Sequence, residues 1–184
     1  MMGYALLILG VLAWSGSHLW KRLAPASRQG FGEAGKGIVT AASLAGIVLM
    51  VLGYRWADTT VLWDSPRFLN HVNNLLMLLA FYLFVASGMK TGITRVIRHP
   101  QLTGVKTWAV AHLLVNGTLA DLILFGGLLA WAVVSVILIN RAQPVWSKNP
   151  PAPMGKEIGA LVGAVVAVLA VGWLHGWLGP RVFG

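Results

Sequence analysis

Residues 98–121, RHPQLTGVKTWAVAHLLVNGTLAD, decide how many helical segments this chain forms. Within them, residues 103–117 are apolar, but as an α-helix they would be only about 22 Å long. The hydrocarbon core of a bilayer is about 30 Å thick and needs about 20 residues. The NGTLAD that ends the stretch is typical of a turn. We predict a short helix over 103–117 that either spans imperfectly or enters and returns.

The composition places this helix in a membrane. The chain has 184 residues, of which 57% are hydrophobic and 10% charged, whereas soluble domains carry about 25% charged residues. We therefore expect a single transmembrane domain over residues 1–184. The absence of cysteine excludes disulfides, thiolate metal ligands and haem attached covalently through Cys-x-x-Cys-His.

Five further apolar runs flank the short helix and are long enough to span a bilayer. They cover residues 2–20, 37–54, 69–89, 119–139 and 157–178. The first lacks the positive start of a signal peptide, so we expect it to stay as a helix. Together with the short segment, the runs predict an all-α, polytopic membrane bundle of about six helical segments.

The positive charges test that count. The net charge is +9, and 11 of the 14 Lys and Arg residues fall in the gaps 21–36, 90–106 and 140–156. The remaining three are Arg55, Arg67 and Arg181. With six segments the three rich gaps share one side, which the positive-inside rule makes cytoplasmic. We predict a multi-pass inner-membrane protein with both termini outside the cytoplasm, whose charges contact lipid headgroups and not nucleic acid.

Two histidines lie inside apolar segments and are candidate site residues. His18 comes three residues before Lys21, and His112 comes six residues after Lys106. Both positions predict the same layer, about 9 Å from the cytoplasmic face for His112, while His71 and His175 belong to the other side. Ionisable side chains in a membrane usually face a protein interior or a functional site. The alternative for His18 is contact with headgroups.

The neighbours of these histidines form helical stripes. Trp108, His112 and Asn116 are spaced four apart, as are Trp14 and His18, so each set lies on one helix face. Lipid cannot satisfy their hydrogen bonds, so we expect the stripes to face inward. Asn116 has a second interpretation, as the cap of a helix that ends before Gly117.

The motif RHP at residues 98–100 predicts a helix start, because proline suits the first helical position. Free backbone N–H groups there, together with Arg98 and Lys106, favour an anionic group. Three groups fit: a lipid phosphate, a carboxylate of a bound cofactor, or the membrane surface.

The segment LTGVKTWAVAHLLVNG resembles the NnrU family of bacterial membrane proteins. It is preceded by NNLLML and followed by LLAWAVVSVILINR, and the SGSHLWKRLAP near the N-terminus fits as well. The resemblance covers residues 2–145, and the C-terminal loop and last helix, 146–184, match less distinctly. The family name links it to nitrite and nitric oxide reduction.

The NnrU family is related to plastid zeta-carotene isomerase, which holds a b-type haem through two histidines. That resemblance implies haem b here, with His112 of AVAHLL and His18 as ligands. It implies a position for His99 near the haem propionates, which Arg98 and Lys106 would neutralise. The cofactor-binding residues expected from the resemblance and the stripes are Arg98, His99, Lys106, Trp108, Trp14 and Asn116.

Three functions follow from these patterns. The first is a haem b–binding protein with redox or isomerase activity on a lipophilic molecule or a nitrogen oxide. The second is a non-enzymatic accessory protein in denitrification. The third is an S-adenosylmethionine-dependent lipid methyltransferase, because RHPQLTG also resembles the Arg-His-Pro motif of such enzymes, although their paired glutamates are absent here. The ridge of Gly155, Gly159 and Gly163 fits either a homo-oligomer or packing within the chain.

Overall fold

The structure is a computed structural model that describes residues 1–179 and 182. In these residues no strand occurs apart from an isolated pairing of Val61 with Thr118. The α-helices are α1 (Met2–Leu23), α2 (Pro25–Gly30), α3 (Ala34–Trp56), α4 (Leu69–Met89), α5 (Pro100–Val115), α6 (Leu119–Asp121), α7 (Gly127–Ala142) and α8 (Met154–Leu178). A π-helical turn, Leu122–Gly126, joins α6 to α7. The predicted all-α bundle is confirmed.

Within the described ranges, five helices are long and apolar enough to cross a membrane: α1, α3, α4, the continuous helix Leu119–Ala142, and α8. The chain is therefore a multi-pass membrane protein. The predicted short segment is α5, with 16 residues and a length of about 24 Å. It begins at Pro100, three residues earlier than predicted, because the proline occupies its first turn.

Helix α5 reaches from one end of the bundle to the other. At its start, His99 bonds to Asn140 near the end of α7. Just past its end, the carbonyl of Gly117 accepts from the backbone N–H of Leu62, which lies between α3 and α4. The segment therefore crosses the bundle and does not enter and return.

The alternating helices define two ends of the molecule. The Met1 end comprises Met1, residues 57–68 and residues 116–118. The Arg98 end comprises residues 24–33, 90–99 and 143–153. The three positively charged gaps of the sequence all belong to the Arg98 end, as a six-segment chain requires. Arg181, assigned by the sequence to the opposite side, lies outside the described residues.

The helices pack in a single row, in the order α3, α1, α7, α5, α4, α8. Only 17 to 28% of each spanning window is buried inside the protein. Such sparse burial suits a bilayer, where apolar side chains facing lipid incur no hydrophobic penalty. The row leaves a broad face open on each side of α7.

Small residues bring α1 and α3 into backbone contact. A Cβ atom on Gly53 would lie 2.3 Å from the backbone N of Leu7, and one on Gly10 would lie 2.7 Å from the backbone N of Met50. Glycine is required at such a close crossing, and this packing drives association in lipid. These glycines therefore let α1 and α3 pack against each other through their backbones.

Two of the three glycines of the α8 ridge serve packing within the chain, whereas a Cβ on Gly155 would meet nothing within 4 Å. A Cβ on Gly159 would lie 2.9 Å from Cε of Met89, and one on Gly163 would lie 3.1 Å from Cγ1 of Val85. Both neighbours belong to α4. Of the two interpretations of this ridge, contact between α8 and α4 is the one that the structure supports.

Candidate functional site

Two pairs of tryptophan and histidine are built in the same way on α1 and α5. The ring centroids of Trp14 and His18 lie 4.1 Å apart, and those of Trp108 and His112 lie 5.1 Å apart. In each pair the histidine Nδ1 lies within hydrogen-bond distance of the tryptophan carbonyl, at 2.8 Å on α1 and 3.0 Å on α5.

These bonds fix the tautomer of both histidines. A carbonyl only accepts, so Nδ1 carries the proton and donates it, and in a neutral imidazole Nε2 keeps its lone pair. Among the residues described, neither His18 nor His112 has a hydrogen bond at Nε2. A backbone carbonyl at the other ring nitrogen is the usual support of a metal-ligating histidine. Both Nε2 atoms are therefore available as ligands.

The helix that lies between α1 and α5 supplies aromatic partners to both pairs. The ring centroid of Trp131 lies 5.7 Å from that of Trp14 and 5.4 Å from that of His18. Phe125 contacts the α5 pair in the same way: its ring centroid lies 5.1 Å from that of Trp108 and 4.5 Å from that of His112. The sequence did not predict either partner, since no polar neighbour marks them.

The start of α5 determines how far His112 lies from the Arg98 end. Helix α5 begins at Pro100, so His112 is about 18 Å along it, whereas its depth in the sequence was counted from Lys106. His112 lies toward the Met1 end, within electrostatic range of Asp121 and His175. His18 and His112 lie at different depths and not in the predicted common layer. Their aromatic partners are six residues apart on one helix, which corresponds to a rise of about 9 Å along the bundle.

The side chains of the two histidines incline in opposite directions along their helices. Side chains on an α-helix tilt toward the N-terminus of their own helix. Helix α1 runs from the Met1 end to the Arg98 end, and α5 runs the other way. His18 therefore tilts toward the Met1 end and His112 toward the Arg98 end, so the two imidazoles incline toward each other along α7.

Unpaired donors surround the α1 pair. The indole Nε1 atoms of Trp14 and Trp131 are both buried without a hydrogen-bond partner within the described part of the chain. A buried donor left unpaired costs about 1–3 kcal/mol. His18 itself is exposed and His112 is half-buried, so a ligand can reach both from the bilayer. The donor set fits a planar aromatic group with acceptor atoms at its edge.

A buried carboxylate lies beside the α5 pair. Asp121 is 2% exposed, and its Oδ1 accepts from the hydroxyl of Tyr54 at 2.5 Å. Its Oδ2 accepts from the backbone N–H and hydroxyl of Thr118, at 2.9 and 2.6 Å. The π-helical turn that follows is a feature often found at functional sites. In the sequence, Asp121 is recognisable only as the end of the turn pattern NGTLAD.

Two of the predicted cofactor-binding residues are used elsewhere. The guanidinium of Arg98 donates to the carbonyls of Gln143 and Pro144. His99 Nε2 lies 2.9 Å from Oδ1 of Asn140. A cation suits this position because the last carbonyls of a helix lack partners. The RHP motif thus joins the start of α5 to the end of α7, away from His112.

Lys106 and Asn116, which were also predicted to bind the cofactor, have other surroundings in the structure. Lys106 is two residues before Trp108, about 200° around α5, and so lies on the opposite face of the helix. Asn116 ends α5, where its backbone N–H and its side-chain amide both donate to the carbonyl of His112. The capping interpretation of Asn116 is therefore the one that the structure supports.

Comparison with known proteins gives one match. The family model described as NnrU protein matches residues 6–182, nearly the whole chain. The match includes both tryptophan–histidine pairs and continues through the C-terminal helix. No curated protein and no solved structure matches the chain.

Proposed function

We propose, from the premise that the chain belongs to the NnrU family, that it binds a b-type haem on α7 between α1 and α5. The observation that carries the proposal is the repeated pair: two imidazoles on neighbouring helices, each fixed at Nδ1 and free at Nε2.

His112 and His18 would hold the haem iron through their Nε2 atoms. Imidazole is a common proximal ligand of haem iron, and two imidazoles complete a six-coordinate site. Neutral Nε2 is the ligating form, and the carbonyl bond at Nδ1 fixes the ring and increases its basicity. The side chains of His18 and His112 incline toward each other from α1 and α5.

The surrounding side chains suit a flat, hydrophobic group. Trp14, Trp108, Trp131 and Phe125 would border it, and the two unpaired indole N–H groups would donate to acceptors at its edge. The negative charge of Asp121 would stabilise the oxidised, more positively charged iron, because electrostatic interactions are strong where water is excluded. Bound there, the haem would supply a redox-active iron. The open face of the row admits a lipophilic molecule or a nitrogen oxide from the bilayer, which accords with the role in denitrification that the family name suggests.

A visible spectrum tests the proposal. Protein expressed with added haem and purified in detergent should show a Soret band that shifts on reduction with dithionite. His112→Ala should lower haem occupancy by more than about tenfold, since loss even of an outer partner of a metal ligand costs 10–100-fold in affinity. His18→Ala should remove the six-coordinate spectrum. His71→Ala, at an exposed position on α4, is the matched control and should leave the band unchanged.

Two results would contradict this assignment. A wild-type protein without a Soret band would overturn haem binding and favour the accessory function. Loss of the six-coordinate spectrum in His175→Ala, with His18→Ala unchanged, would place the second ligand at the Met1 end.

A further inference from the structure

An open cavity lies on the face of α5 that turns away from the histidines. Its volume is about 410 Å³, and its walls come from three helices. The lining residues are Leu76, Leu79, Lys106, Thr107, Val110 and Leu129. The cavity is apolar except for one threonine hydroxyl and one ammonium group.

The ammonium group lacks a protein partner. Within the described ranges, Lys106 forms neither an ion pair nor a hydrogen bond. A charged group in an apolar groove is costly unless an opposite charge or water reaches it. The side chain of Lys106 tilts toward the start of α5 and so toward the Arg98 end. The groove therefore presents a positive charge that an anion would neutralise.

One end of the groove is charged and the rest is apolar, as in a lipid molecule. Lys106 is six residues from the start of α5, about 9 Å, whereas Leu79 and Leu76 are 10 and 13 residues from the last residue of α4, about 15 and 20 Å. The charge thus lies nearest the Arg98 end, and the apolar wall continues deeper into the membrane. We infer that the groove binds an anionic phospholipid, with its phosphate at Lys106 and one acyl chain along Val110, Leu79 and Leu76.

Native mass spectrometry of the detergent-purified full chain tests this inference. The protein is titrated with phosphatidylglycerol and with phosphatidylcholine of the same acyl chains. Phosphatidylglycerol should bind more tightly, and Lys106→Gln should weaken it about fivefold, the effect of one lysine near an anionic surface. The control is Lys156→Gln, which removes an exposed charge at the same end of the molecule and should have no such effect.

A second variant tests the acyl-chain part of the groove. Val110→Trp adds bulk where the chain would lie, and it should displace phosphatidylglycerol even though Lys106 is intact. Circular dichroism checks that each variant keeps its helix content. Equal binding of the two lipids by the wild type, or equal effects of Lys106→Gln and Lys156→Gln, would overturn the inference.

Discussion

Replacing Gly53 with leucine should separate α1 from α3 and leave little folded protein. A Cβ atom at this position would lie 2.3 Å from the backbone N and 2.7 Å from the Cα of Leu7. These are main-chain atoms of a helix and cannot rotate away. Overpacking a core costs about 1–3 kcal/mol even where side chains can adjust, so we expect a loss of at least about 3 kcal/mol here. Thermal unfolding in detergent, followed by circular dichroism, measures it.

The matched control uses a glycine that faces open space. Gly37 lies on the same helix, and a Cβ there would meet nothing within 4 Å. Gly37→Ala should leave the unfolding midpoint unchanged or raise it, because alanine favours a helix by up to about 1 kcal/mol over glycine. An unchanged midpoint in Gly53→Leu would show that α1 and α3 do not cross as closely as described.

The helix count could be predicted from the sequence because its signals are local. The length of an apolar run and the charges that bound it need no tertiary information, and they gave five long spans and one short one. The start of α5 was placed late, because apolarity begins after the proline whereas the helix begins with Pro100. The predicted depth of His112 was counted from Lys106, which is six residues after the start of the helix.

The candidate site could be predicted only in part. The stripes of Trp14 with His18 and Trp108 with His112 are visible because positions four apart share a helix face. Trp131 and Phe125 could not be found, since the helix that holds them is apolar all round and offers no periodic signal. Which helix lies between α1 and α5 depends on the packing of the whole row.

Asp121 has one contact that the sequence could predict and one that it could not. The pattern Thr-x-x-Asp at residues 118–121 is a local signature of a capped helix start and could have been recognised. Its bond to Tyr54 joins residues 67 positions apart, and no local pattern predicts that.

Replacing Asp121 with alanine should destabilise the protein by at least about 2 kcal/mol. Thr118 remains as the N-cap, but its N–H and hydroxyl and the hydroxyl of Tyr54 lose their acceptor, and leaving such donors unpaired costs about 1–3 kcal/mol each. Water cannot replace the carboxylate where the residue is 2% exposed. The unfolding midpoint in detergent should fall, and it should fall further than in Tyr54→Phe, which removes one bond only.

Two comparisons separate the loss of the Asp121 hydrogen bonds from a general effect of removing a negative charge. Asp58→Ala removes a carboxylate at the same end whose side chain is 71% exposed, and exposed ion pairs contribute at most about 1 kcal/mol. The double variant of Asp121→Ala with Tyr54→Phe should be no less stable than Asp121→Ala alone, because the two residues share one bond and their effects are not additive. Additive losses, or equal losses in Asp121→Ala and Asp58→Ala, would mean that the buried carboxylate does not hold α3 to the start of the α6–α7 helix.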